Sequence, residues 1–271
     1  MSEENTQEEV IRPEDIEVDP PNEDIEGVKD SVARAIEKML IGGRRYFGSS
    51  GAGLSQQAFN PAYAEKGINS ELAKIGLEGE RETTLFLKKW LKDKPGAVLI
   101  DSVHVKGVGE EQVNEETGMI EGGDTDHVIL IGSEVILIDT KRWKGKKNYS
   151  VGDNGEALRM GKAFPGGNLH MRQALHIWLN YLDEEASVTG IVCINSEEVK
   201  VFRNRNWYTQ SYRLVEIDRL EELLNEKWKL IDDYDKTHIN STLVSQVVVG
   251  AQKPYDPYHK VFSMDALKSF K

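Results

Sequence analysis

The 271-residue chain is 39% hydrophobic and 30% charged, which suits one globular domain with appendages. It has no apolar run of membrane-spanning length, no secretory pattern at its N-terminus and one cysteine, Cys193, so a disulfide framework is excluded and a soluble, cytoplasmic protein is expected. The net charge of −12 speaks against a nucleic-acid partner until it is partitioned: residues 1–26 hold eleven acids and one base, leaving 35 acids against 33 bases beyond them.

Residues 1–26, with Pro13, Pro20 and Pro21 and few large apolar groups, are expected to form a disordered acidic tail. Residues 27–70 read as a helix and a linker. Val28, Val32, Ala35, Ile36, Met39 and Leu40 recur at helical spacing as far as Gly42-Gly43, and a Gly/Ser-rich stretch follows. That helix offers a face to the main domain, to a second copy of the chain or to a protein partner.

Residues 71–232 are expected to be the principal domain. The first helix, Leu72–Lys92, places Glu80, Thr84, Leu87 and Leu91 on one side, so an acid shares the stripe that faces the core. Such an acid is paired, with Lys141 for instance, or bound to a metal. Gly76 and Gly79 each cost this helix about 1 kcal/mol relative to Ala, but they permit close backbone approach. Ala97–Val105 reads as a strand and residues 106–123 as a loop. Val128–Ile131 and Val135–Ile138 then flank Gly132-Ser133 as a tight hairpin. Residues 148–167 are polar and Gly-rich, with Arg159 and Lys162 as phosphate contacts. Asn168 is expected to cap a helix that runs to about Leu182 on the stripe Met171, Leu175, Trp178 and Leu182, with Arg172, Gln173 and His176 off it. Val188–Ile194 reads as a strand, Val199–Phe202 and Tyr212–Ile217 as edge strands, and Asp218–Lys229 as a helix. Residues 233–271 form a C-terminal extension without an assigned structure.

The hairpin carries the chemistry. If Gly132 and Ser133 are its two turn residues, Ile131 pairs with Glu134, and the same register sets Asp126 opposite Asp139 and Asp124 opposite Lys141. Directly opposed like charges are destabilising. Two facing carboxylates therefore need a cation, a proton or solvent, and Mg2+ or Mn2+ suits them because a hard ion takes a few carboxylate oxygens and keeps positions for water and phosphate. Lys141 adds a positive charge beside them. The plainer alternative is that the acids solubilise the open end of the hairpin. Both hairpin faces are apolar, however, which predicts a central position with layers on each side, where charges tend to be functional. Immediately after it, Arg142, Lys144, Lys146 and Lys147 surround Trp143, a composition suited to a phosphate backbone and a stacked base, or else to a solvated loop with a half-buried Trp.

The order helix, strand, hairpin, helix, strand, with these acids and a Lys two residues after the last, resembles the αβββαβ core of the PD-(D/E)XK nucleases. More narrowly, Gly76-Leu-Glu-Gly79-Glu80, Asp126-His127 and Asp139-Thr140-Lys141-Arg-Trp143-Lys-Gly145 resemble the nuclease-related domain family, NERD, over about residues 72–195. In that family a G-x-x-G-E helix precedes a D-H strand, an E-x-K-x-W-x-G strand and a helix bearing a Gln, here Gln173. Asp139 stands where the family more often has Glu, and Phe164–Arg172 matches the usual approach to that Gln only loosely. The resemblance implies an α/β, restriction-endonuclease-like fold, a central mixed sheet flanked by helices, with N- and C-terminal extensions.

It also implies a Mg2+- or Mn2+-dependent nuclease acting on DNA in preference to RNA. Asp126 and Asp139 would hold the metal, with the Thr140 carbonyl as a further ligand and Glu80 completing the shell directly or through water. Lys141 would orient the attacking water or neutralise the phosphate, and Gln173 would support Lys141 or the substrate. Arg142, Trp143, Lys144, Lys146, Lys147 and Arg172 would hold the nucleic acid. The rival expectations are a nuclease-like domain that binds nucleic acid without cutting, and an assembly factor that works through residues 1–70. His127 and His176 are expected to be structural or supporting rather than a nucleophile–base pair.

Overall fold

The computed structural model describes residues 25–250 apart from 52–53, 55–57, 60–68, 104, 106–111, 114–119, 122–124, 144–146, 165, 168 and 183–184. Residues 1–24 of the expected acidic tail, Asp124, Lys144 and Lys146 thus lie outside the described residues, as does the end of the C-terminal extension, while Ile25 and Glu26 are helical rather than part of a tail.

In chain order the elements are α1 (Ile25–Ile41), β1 (Tyr46–Gly48), α2 (Ser70–Leu91), β2 (Ala97–Val103), β3 (Gln112–Val113), β4 (Ile120–Glu121), β5 (Thr125–Ile131), β6 (Glu134–Lys141), β7 (Asn148–Val151), β8 (Ala157–Arg159), α3 (Met171–Tyr181), β9 (Ser187–Ile194), β10 (Lys200–Val201), α4 (Arg205–Thr209), β11 (Tyr212–Glu216), α5 (Ile217–Leu230) and α6 (Ser241–Gly250). Six strands form one mixed sheet in the order β1-β2-β5-β6-β9-β11. The pairs β2–β5 and β5–β6 are antiparallel, while β1–β2, β6–β9 and β9–β11 are parallel. Two small sheets, β10-β7-β8 and β3-β4, sit outside it. The series α2, β2, β5, β6, α3, β9 is the αβββαβ order that the sequence pattern implied, with the hairpin at the centre of the sheet.

The strands form where runs of Val, Ile and Leu are buried on both faces. Val128 to Ile131 and Val135 to Ile138 are all at most 2% exposed, as a central hairpin between two layers requires. Gly132 opens the turn with φ of 56°, the positive value that favours Gly in tight hairpin connections. Helix α2 starts on the Asn69 side chain, which accepts from the N–H groups of Glu71 and Leu72. The expected stripe is buried, with Glu80 at 6%, Thr84 at 4%, Leu87 at 0% and Leu91 at 5% exposure. At the other end of α2, Arg45 Nη1 donates to the carbonyls of Leu91 (2.8 Å) and Lys94 (2.6 Å), each of which also accepts a backbone N–H in the turns that follow the helix.

Several local expectations are corrected. Helix α3 begins at Met171, with His170 as its N-cap in the left-handed region and no side-chain capping bond, rather than at Asn168. The Gly-rich stretch after residue 147 contains the strands β7 and β8, the segment 203–210 contains the short helix α4, and residues 241–250 form α6. Helix α6 packs against α1 and β2, and β1 is hydrogen-bonded along β2, so segments read as extensions build the same fold. Among the described residues, no helix is long and apolar enough to cross a membrane.

Candidate active site

The hairpin register is Ile131↔Glu134 through His127↔Ile138, as the two-residue turn predicted. One step further lie Asp126 and Asp139. Here the ladder gives way to a side chain: the Thr140 N–H donates to Asp126 Oδ2 at 2.6 Å. Next along β6, the Lys141 ammonium lies 2.8 Å from each carboxylate oxygen of Asp139 and donates to Oδ1. Asp139 Oδ2 is buried and accepts no hydrogen bond.

Burial, and then the neighbouring Asp139 carboxylate, raise the Asp126 pKa to about 7, against the opposing pull of Lys141, His127 and the Thr140 N–H. Burial disfavours the Lys141 charge, but Asp139, Asp126 and Glu80 outweigh it and hold the ammonium protonated well above the ordinary lysine range. The two carboxylates and the lysine thus act on one another, and Glu80 on α2 is near enough to add to the field at Lys141.

Two sets of contacts support this cluster. Beneath it runs a buried chain: Tyr46 Oη (3.1 Å) and Thr84 Oγ1 (2.7 Å) donate to Asp101 Oδ2, and Asp101 Oδ1 lies 2.8 Å from His127 Nδ1. His127 Nε2 in turn lies 3.1 Å from Thr140 Oγ1. An ionised Asp101 only accepts, so Nδ1 carries a proton, and a neutral ring receives the Thr140 hydroxyl proton at Nε2. Thr140 is the pivot, bonded to His127 by its side chain and to Asp126 by its backbone. His127 is fully buried, in the supporting role expected of it.

The second set fixes α2. The Asn195 N–H continues the β6–β9 ladder to the Lys141 carbonyl (2.9 Å), while its Nδ2 donates to the Gly79 carbonyl (2.9 Å) and Thr83 Oγ1 (3.2 Å). Gly79 has a steric reason as well, since a Cβ there would lie 2.9 Å from Arg142 Cβ. Tyr46, Asp101 and Asn195 are not among the residues singled out from sequence. Asp101 alone gave a signal, as one charge inside an apolar strand.

The remaining candidates are dispersed. Arg142 is ion-paired with Glu82 at 2.6 Å. Trp143 packs on Tyr149 and Phe164 at ring-centroid distances of 4.7 and 5.0 Å. Lys147 is partly buried. Arg172 Nε donates to the Gln210 amide oxygen at 2.8 Å, and Gln173 is exposed with no hydrogen bond to Lys141 among the described residues.

The family described as "Nuclease-related domain" (NERD) matches residues 75–195. The chain carries a NERD domain. No curated protein and no solved structure matches the chain. The matched NERD segment spans most of α2, all of β2 to β9 and α3, and ends on Asn195. It therefore includes the carboxylates, Lys141, His127 and all three Asn195 contacts, but not Tyr46.

The donor set can be weighed for a metal from its own chemistry. Among the described residues no three His, Cys, Asp or Glu side chains gather closely enough to cage an ion. Two carboxylates, one with a buried oxygen that accepts no hydrogen bond and lies against the Lys141 ammonium, nevertheless fit Mg2+, which takes one or two carboxylates and fills its other positions with water and phosphate.

Proposed function

We propose that the chain is a metal-dependent nuclease that hydrolyses phosphodiester bonds, DNA being the preferred substrate. The carrying observation is the apposition of Asp126 and Asp139 beside the Lys141 ammonium, at the open end of a buried hairpin within a NERD domain. Asp126 and Asp139 would hold Mg2+ or Mn2+, with the Thr140 carbonyl available beside them. When bound, such an ion lowers the pKa of its water and stabilises charge developing on phosphate.

The protein's own groups divide the remaining work. Lys141 is held as a cation, so it serves to neutralise phosphate and orient water rather than to accept a proton. Glu80 strengthens that charge from α2 and would complete the shell of the ion directly or through water. The Thr140 N–H fixes one oxygen of Asp126 and leaves the other for a ligand. Gln173, exposed in the first turn of α3, would meet the substrate rather than Lys141. Lys147, with Lys144 and Lys146, would contact backbone phosphates, whereas Arg142 and Trp143 hold the loop to α2 and to the aromatic cluster.

The test is cleavage of plasmid, linear duplex, single-stranded DNA and RNA with Mg2+, Mn2+ or EDTA, for the wild type, Asp139→Ala and Lys141→Ala. Metal-dependent cleavage that is lost in both variants is expected. Activity unchanged in both would place the chemistry elsewhere. The two-carboxylate cluster also favours a second reading, a NERD domain that binds nucleic acid without cutting. An inert wild type with flat Mg2+ calorimetry would select it.

A further inference from the structure

Residues 200–213 contain Lys200, Arg203, Arg205 and Arg213 and no acid. Their guanidinium groups have unusual company. Arg203 and Arg213 lie over the Trp207 ring at 4.8 and 4.9 Å from its centroid. Arg213 also donates to the Gln210 carbonyl at 2.7 Å, and Arg172 reaches the Gln210 side chain from α3. Among the described residues none of Arg172, Arg203, Arg205 and Arg213 is ion-paired, in contrast to Arg142 and Lys141. The nearby Asp153 carboxylate accepts from Asn206 Nδ2 at 2.9 Å.

The same segment exposes two aromatic rings. Phe202 is 54% and Tyr208 61% exposed, and the Tyr208 ring meets buried Trp207 edge-on at 5.0 Å. The segment is also continuous with the basic loop that leaves the candidate site. Strand β10 pairs in parallel with β7, the strand that follows that loop, and the Lys200 N–H donates to the Lys147 carbonyl at 3.3 Å.

We infer that the β10–α4 segment, with Arg172 and Arg213 beside it, is a docking surface for single-stranded nucleic acid. Cations without carboxylate partners suit phosphates, whose neutralisation releases counterions. Exposed rings suit unpaired bases, whose faces a duplex keeps stacked on one another. The occupant is therefore a single strand, or the single-stranded part of a branched or tailed substrate. This inference rests on the reading of the chain as a nucleic-acid protein but not on cleavage, and the surface lies largely beyond the matched residues 75–195.

The experiment is fluorescence anisotropy with labelled oligothymidylate and with a labelled duplex, using the full chain in EDTA over a range of salt concentrations. The wild type is expected to bind the single strand more tightly than the duplex. Tyr208→Ala and Phe202→Ala should each weaken single-strand binding about 5- to 100-fold with an unchanged salt slope, and Tyr208→Phe should restore it. The double variant Arg203→Gln/Arg205→Gln should lower the salt slope by about 1.4, or ~0.7 for each lost phosphate contact. Equal binding of duplex and single strand, indifferent to Tyr208→Ala, would overturn the inference, as would a wild type that binds neither. A wild type that binds as expected but never cleaves would overturn the nuclease reading and leave this surface standing.

Discussion

The buried chain under the candidate site offers a perturbation whose size can be worked out in advance. His127→Ala removes an imidazole with no solvent exposure, together with its contacts to Asp101 (2.8 Å) and Thr140 (3.1 Å). Among the described residues Asp101, itself 1% exposed, then keeps the Thr84 and Tyr46 hydroxyls as its side-chain donors, and Thr140 Oγ1 loses its His127 partner in a dry interior. Each of the two buried groups left behind by the lost hydrogen bonds costs about 1–3 kcal/mol, or about 2–6 kcal/mol together. In a protein of this size each kcal/mol moves the melting midpoint by about 2–4 °C, so a fall of about 4–24 °C is expected.

Urea unfolding should show the same loss as a shifted midpoint at constant slope. Because Thr140 also holds Asp126, Mg2+ affinity should fall about 10- to 100-fold, the usual effect of losing a group that orients a metal ligand. Stability within about 1 kcal/mol of wild type would falsify the view that this chain is a satisfied, tightly packed network.

Four further outcomes are expected. Asp126 holds its proton up to about pH 7 in the folded, metal-free protein but only to about 3.9 when unfolded, so ionising it costs stability as pH rises between those values. A bound cation removes that cost, so Mg2+ should raise the melting temperature more at about pH 8 than at about pH 5, and a pH-independent shift would refute this. Lys141→Met should abolish cleavage and lower the stability of the metal-free protein by leaving the two carboxylates without their cation, with Mg2+ restoring part of the loss in thermal melts. Asn195→Ala, which unpairs the buried Gly79 carbonyl and Thr83, should cost about 1–3 kcal/mol in urea unfolding. Tyr46→Phe removes one donor to Asp101 and should cost about 0.5–1.5 kcal/mol, whereas Phe at the exposed Tyr208 should be silent in the same assay.

What was legible in the sequence follows from how local the information is. The hairpin register needed only two apolar runs and a Gly-Ser turn, and it put Asp126, Asp139 and Lys141 together without any long-range knowledge. The buried stripe Glu80-Thr84-Leu87-Leu91 followed from helical periodicity in the same way. Strands β7 and β8 are three or four residues long, too short for a period to show, and depend on pairing with each other, whereas the expected strand Val199–Phe202 contains β10. Helix α6 is only ten residues long, so although Leu243, Val244, Val247 and Val248 recur at helical spacing, the repeat covers a single interval and the short run Val247–Val249 masks it. The Tyr46–Asp101–His127–Thr140 chain joins four segments, so no spacing in the sequence announces it. Arg142 looked available for a phosphate until α2 brought Glu82 within 2.6 Å.

The six-stranded sheet is wider than the family segment inside it. Strands β1 and β11, which close its two sides, come from residues before 75 and after 195. Without them β2 and β9 would present unpaired N–H and C=O groups flanked by Leu99, Ile100, Val192 and Ile194, all of them buried in the intact fold. Long apolar edges of this kind recruit other strands. A fragment cut at the family limits would therefore carry Asp126, Asp139 and Lys141 and still self-associate through its borders. The folded unit is consequently larger than the stretch that matches the family.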